Sequence, residues 1–217
     1  VRSDLMTNIV GNDTLNCVRY EVTDEAITVD TLVTITNTGN YPNCCLFVTR
    51  TTDEDGNSAF EFKDLLGKVV LTRQVQRNND GTKQTFDTYY VYNQYLDNVA
   101  VIPPKASDEM KECNNVWTNS NSSLIRNYVY LYRYDYRKRC VAKRLPGQGW
   151  TYIVYDDTDN PIFVQDANQR QRNEWLFRIS DVLGRECFSG ICNNSFSVFD
   201  NPLKKVVVSA EWMHNMG

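Results

Sequence analysis

One histidine, His214, is all that this chain of 217 residues contains. A catalytic triad or a histidine metal cluster therefore has nothing to assemble around. Basic charge is also short: 23 Lys and Arg face 27 Asp and Glu, giving a net charge of −4 and a pI of 5.1. Nucleic-acid binders normally show a basic domain or stripe, so no nucleic-acid partner is expected. No apolar run approaches the roughly 18 residues that a membrane-spanning helix requires, so no such span is expected. The seven cysteines, at 17, 44, 45, 113, 140, 187 and 192, include no CxxC pair, which argues against zinc and thioredoxin-type chemistry. Adjacent Cys44 and Cys45 cannot easily bridge each other, whereas Cys187 and Cys192 are near enough to pair if geometry permits. Buried free thiols are the expectation, since a free cysteine behaves as a small hydrophobe. No nucleophile elbow, HExxH, P-loop or GxGxxG pattern frames the serines and acids that are present. No enzyme, no cofactor and no metal are expected. The chain opens on Val1 rather than Met and shows no signal-peptide core, so its true start is expected to have been removed.

What is present is aromatic, β-branched and repetitive. The 13 tyrosines outnumber the 9 phenylalanines and 4 tryptophans, which suits sheet faces that are neither dry core nor bare surface. One phrase recurs: an alternating run climbs to a Tyr-Asp-like step, a polar turn follows, and an apolar run returns. The steps are Lys63-Asp64, Tyr92-Asn93, Tyr134-Asp135, Tyr155-Asp156, Ser180-Asp181 and Phe199-Asp200. Their turns close with Gly67-Lys68, Leu96-Asp97, Lys138-Arg139, Asp159-Asn160, Gly184-Arg185 and Leu203-Lys204. Tyr128, Tyr130, Tyr132 and Tyr134 share one strand face, as do Trp150, Tyr152 and Val154, and Trp175, Phe177 and Ile179. Asp bonds the backbone two residues on, and Gly or Asn accepts positive φ, so each phrase is a β-hairpin.

Hairpins in series predict an all-β fold, a curved antiparallel meander with more than about 40% strand and less than about 15% helix. One short helix is expected inside residues 103–115, with Ser107 or Asp108 as its N-cap. The Ser- and Asn-rich stretch 118–123 reads as a loop. The organisation expected is one continuous β unit: an irregular β segment over residues 1–44, a hairpin array over 45–212 and a tail over 213–217.

The phrases VIPPKASDEM and YLYRYDYRKRCVAKRLPGQGWTYIVYDDTDNPIFVQDANQRQRNEWLFRISDVLGRECFSG resemble the Rhs, or YD-repeat, family. The form is the one common in large surface and secreted proteins of Bacteroidetes. The likeness covers roughly residues 45 to 209, and its carriers are Asp64, Tyr92, Tyr134, Asp135, Tyr155, Asp156, Asp181, Gly184, Arg185 and Asp200. Departures occur where Leu96, Lys138, Asp159 and Leu203 replace the turn glycine, and where Lys63, Ser180 and Phe199 replace tyrosine. The resemblance implies a piece of a much longer extracellular or cell-surface polypeptide, taken from its shell-building part. Its partners would be neighbouring repeats of the parent chain and an enclosed C-terminal cargo.

Other readings compete for the same residues. The Tyr-Asp steps could be ligand groups, but the Asp stands where the turn needs it, and Tyr packs well across strands. Exposed Trp150 and Trp175 could instead make the chain a carbohydrate-binding surface module. The carboxylates of DDTDN and DEDGN have calcium-like spacing, yet lack the EF-hand glycine and terminal glutamate, so they read as solvated turns. The basic stretch 133–144 reads as a solvated hairpin rather than a polyanion site. The strand-like VVVSAEW (206–212) would leave an open edge. The chain would then either fold its first 50 residues over the sheet or self-associate through that edge.

Overall fold

A computed structural model describes residues 2–23, 33–78, 81–112, 116–117, 122–181 and 183–193. Strand makes up 54% of it. The chain divides into two compact units, residues 1–131 with 145–147, and residues 132–144 with 148–217. That division falls between Leu131 and Tyr132, inside a strand, whereas the sequence suggests boundaries after residues 44 and 212.

The first unit runs β1 (Arg2–Thr7), β2 (Val18–Thr23), β3 (Thr34–Asn40), β4 (Phe47–Thr52), β5 (Ser58–Lys63) and β6 (Val69–Arg77). It continues through β7 (Lys83–Tyr92), β8 (Asn98–Ile102), α1 (Pro104–Glu112), β9 (Val116–Trp117), α2 (Ser122–Tyr128) and the start of β10 (Tyr130–Tyr134). β1 pairs antiparallel with β4, β5 to β8 follow as hairpin neighbours, and β10 closes onto β8. Alternation is plain on β7, where Asp87, Tyr89 and Val91 are buried and the residues between them are half-buried. Phe60, Phe62, Leu71 and Val75 extend this inner face. Burying such a side chain fully contributes about 1.5–3 kcal/mol. β2, β3 and β9 form a separate three-stranded sheet. Its Tyr20 meets Tyr89 edge to face at 4.9 Å, so part of the N-terminal segment does lie over the inner face.

The second unit completes β10 and adds β11 (Cys140–Arg144), β12 (Trp150–Tyr155), β13 (Pro161–Gln165), α3 (Ala167–Gln171), β14 (Glu174–Ser180) and β15 (Glu186–Asn193). Its strands bond in sequence order, and the hydrogen-bonded order of the longer sheet is a twelve-stranded antiparallel meander, as the repeats predict. Trp150, Tyr152, Phe163, Trp175 and Phe177 fill the core. Phe163 and Trp175 pack edge to face, with ring centroids 6.3 Å apart.

Local expectations need two corrections. Helix α1 lies inside 103–115 but begins at Pro104; Ser107 donates its N–H to the Pro103 carbonyl and is already inside the helix, so neither Ser107 nor Asp108 caps it. Proline suits the first turn because its missing N–H has no partner there anyway. Helix α2 takes Ser122 and Ser123 out of the loop and Tyr128 out of the strand, so β10 starts at Tyr130. Cys187 and Cys192 are both free: an odd separation on β15 leaves one exposed and the other buried on opposite faces. Residues 194–217, with Phe199, Asp200, His214 and the stretch 206–212, lie outside the described residues.

Candidate functional site

The repeated step is one turn, built seven times among the described residues. At Asp53, Asp64, Asn78, Asn93, Asp135, Asp156 and Asp181 the backbone N–H donates to the carbonyl four residues on, at 2.8–3.0 Å. The N–H three residues on donates back to the anchor's carbonyl, at 2.9–3.3 Å. In Asp64, Asn93, Asp135, Asp156 and Asp181 the side-chain Oδ1 also accepts the N–H groups two and four residues on, at 2.8–3.0 Å. Three-residue hairpin loops of this kind require a left-handed residue before the return strand. Gly67 and Gly184 supply it freely, but Leu96 (φ 65°), Lys138 (63°) and Asp159 (66°) occupy it against their Cβ. Leu96→Gly is therefore expected to raise stability by roughly 0.5–1 kcal/mol in urea unfolding, and Gly67→Ala to lower it. A loss on Leu96→Gly would show that the leucine side chain compensates for its backbone.

Electrostatics follow the turn. Partial burial works against the charge of Asp135, but the N–H and guanidinium of Arg139 and the N–H of Arg137 outweigh it and hold the carboxyl below its ordinary range. Asp156 is lowered in the same way, burial being outweighed by the N–H of Asn160 and by Thr158. The N–H and guanidinium of Arg185 lower Asp181. Two of the tyrosines tie their hairpin to the previous one. Tyr92 donates its hydroxyl to the Val69 carbonyl and Tyr155 to the Cys140 carbonyl, both at 3.0 Å. The cation closing an earlier anchor turn lies over the same ring: Lys68 over Tyr92 at 5.7 Å and Arg139 over Tyr155 at 4.9 Å. Arg137 and Arg139 also reach Asp159 Oδ1, at 3.1 and 2.7 Å, clamping the turn at Asp135 to the turn at Asp156.

The phrases LPGQGW and QDANQRQRNEW fit together around α3. Asp166 caps it with a reciprocal Asp166–Gln169 box. A Cβ on Gly149 would stand 2.5 Å from the Ala167 Cβ, so only glycine lets the helix approach. Arg170 donates to the Trp150 carbonyl at 2.6 Å and lies 4.8 Å over Tyr152.

Sequence reasoning overlooked a buried charged cluster in the first unit. Arg73 and Asp87 face each other across β6 and β7 and make a two-pronged pair at 2.7 and 2.8 Å. The remaining Arg73 nitrogen donates to the carbonyls of Asp13, Thr14 and Asn16, holding the N-terminal loop on the sheet. Burial pushes the neighbouring Cys17 thiol up to about 12, against the pull of Arg73. The signal was a charge at an inward position on each of two consecutive strands.

The structure brings the predicted anchors Asp64, Asp135, Asp156 and Asp181 into equivalent turns, with Gly184 in the left-handed position and Arg185 bonded to Asp181 at 2.7 Å, while Asp200 lies outside the described residues. Tyr134 is half-buried at the end of β10. Trp150 and Trp175 are a correction: they are 1% and 2% exposed, and a ring inside the core offers no face to a sugar. The basic stretch is also committed internally, with Arg133 lying 4.2 Å over Trp150 and Arg144 donating to the Gln148 carbonyl at 3.0 Å.

Consecutive antiparallel hairpins, closed by one repeated turn and tied ring to carbonyl, define a hairpin-repeat sheet protein. No family model and no curated protein sequence matches the chain. Solved structures do resemble it. A mutant Tc holotoxin pore from Photorhabdus luminescens matches 76% of this chain at 12% identity with a TM-score of 0.51. A TcdB2–TccC3 structure matches 74% at 13% identity and 0.53, and a TcdB2–TccC3–Cdc42 structure 76% at 14% and 0.54. Each match spans only 8% of the toxin chain's own length. The likeness is one of fold, and the fold is Rhs-like.

Proposed function

We propose that this chain is a length of structural shell in a larger extracellular or surface-displayed polypeptide of Rhs type, holding or presenting another part of that polypeptide and not catalysing a reaction. The observation that carries the reading is the repeated anchor turn. The anchor oxygens that could do chemistry accept backbone N–H groups instead, and the tyrosine hydroxyls of Tyr92 and Tyr155 bond the preceding hairpin. Such a device extends a sheet indefinitely, because each hairpin contacts only its neighbours. The likeness of fold to a short arc of much longer toxin-complex chains supports the same role.

Protease protection on the intact parent polypeptide tests this. An enclosed segment should resist thermolysin until about the denaturant concentration that unfolds the hairpin sheet, and then be cut together with it. Cleavage of every other segment at unchanged rates whether or not this sheet is folded would overturn the proposal.

A further inference from the structure

Six of the seven anchor turns also commit the second terminus of the anchor side chain to the residue four places on. The pairs are Asp53–Asn57, Asn78–Thr82, Asn93–Asp97, Asp135–Arg139, Asp156–Asn160 and Asp181–Arg185. Asp64 departs from the pattern. Its Oδ1 accepts the N–H groups of Leu66 and Lys68, but Lys68 carries its ammonium over the Tyr92 ring, and Asp64 Oδ2 has no partner among the described residues.

Asp64 lines a cleft of about 570 Å³ in the first unit, together with β2, Tyr41, Tyr90, Tyr92 and Tyr95. That volume is within the range of small-ligand sites. The Tyr41 hydroxyl has no hydrogen-bond partner among the described residues, and its surroundings include the charges of Asp64 and Glu21. Arg19 and Glu21, also on the wall, neutralise each other at 3.0 Å. What remains is a carboxylate oxygen able to accept, a hydroxyl able to donate and accept, and the rings of tyrosines on the wall. A cationic ligand would meet Lys68, which already occupies the face of Tyr92, and an anion would meet Asp64. An uncharged, many-hydroxyl ligand has neither conflict.

We propose that this cleft binds a neutral oligosaccharide, with sugar hydroxyls donating to Asp64 Oδ2 and exchanging hydrogen bonds with the Tyr41 hydroxyl. The site is separate from the buried tryptophans and independent of the shell reading, which stands whether or not a sugar binds.

The test is calorimetric titration of the chain with neutral hexasaccharides of glucose, of mannose and of N-acetylglucosamine. Saturable binding of at least one is expected. Tyr41→Phe and Asp64→Asn should each weaken it at least about tenfold, the effect of losing a hydrogen bond to a charged or buried group. Asparagine at 64 keeps the turn acceptor, as Asn93 does in its own turn, and an unchanged melting profile would verify this. Asp156→Asn, at an anchor whose oxygens serve its own turn, should leave binding unchanged. No saturable binding to any of the three sugars, or equal binding by Tyr41→Phe and Asp64→Asn, overturns the proposal.

Discussion

Alanine in place of Trp150 is expected to lower stability by about 3–5 kcal/mol, the cost of emptying a large buried aromatic site. The indole is 1% exposed and carries Arg133 stacked 4.2 Å above it, so truncation leaves both a cavity and a guanidinium without its platform. Trp175→Ala should fall in the same range, because its ring is 2% exposed and packs on Phe163 in a cluster with Phe177 and Cys192. Asp159→Ala, at an exposed turn, should lose well under about 1 kcal/mol. Urea unfolding of the three variants decides. Small and equal losses at all three would mean that the two rings are not in a packed interior, and would reopen the surface reading of the tryptophans.

Removing one partner of the Arg73–Asp87 pair should have a comparable effect. Asp87→Ala leaves a guanidinium 7% exposed without its counter-charge, for which the expected loss is about 3–5 kcal/mol. Arg73→Met with Asp87→Leu removes both charges and should lose far less than the sum of the single changes. Replacing Arg73 also frees the carbonyls of Asp13, Thr14 and Asn16, so amide exchange in that loop should rise in Arg73→Met and in the double variant. Additive losses in the cycle would show that the two side chains act independently.

The parts of the fold set by local chemistry were legible. Alternation put Trp150 with Tyr152 on one face of β12 and Trp175 with Phe177 on one face of β14, and the structure buries all four. The anchor aspartates were readable as turn residues because the bonds they make reach only two and four residues on. Which face would be buried was not readable, since both carry aromatics, and this is why the tryptophans could be taken for ligand contacts. Asn78 escaped notice, although Gly81 holds the left-handed position as elsewhere. Its turn sets the register that puts Arg73 opposite Asp87, so that pair could not be foreseen without it. Helix α3 did advertise itself through the Asp166–Gln169 box, but five residues between two strong strands show no helical period. The open oxygen of Asp64 emerges only when the turns are compared atom by atom.

Electron cryomicroscopy of the intact polypeptide that carries this chain tests the shell reading most directly. The account predicts that the edge of β15 that has no partner among the described residues is paired with a further strand of the same polypeptide, and that the hairpin sheet continues into a wall around another segment. A structure in which this chain stands apart as a separate module, with β15 unpaired and nothing enclosed, would contradict it.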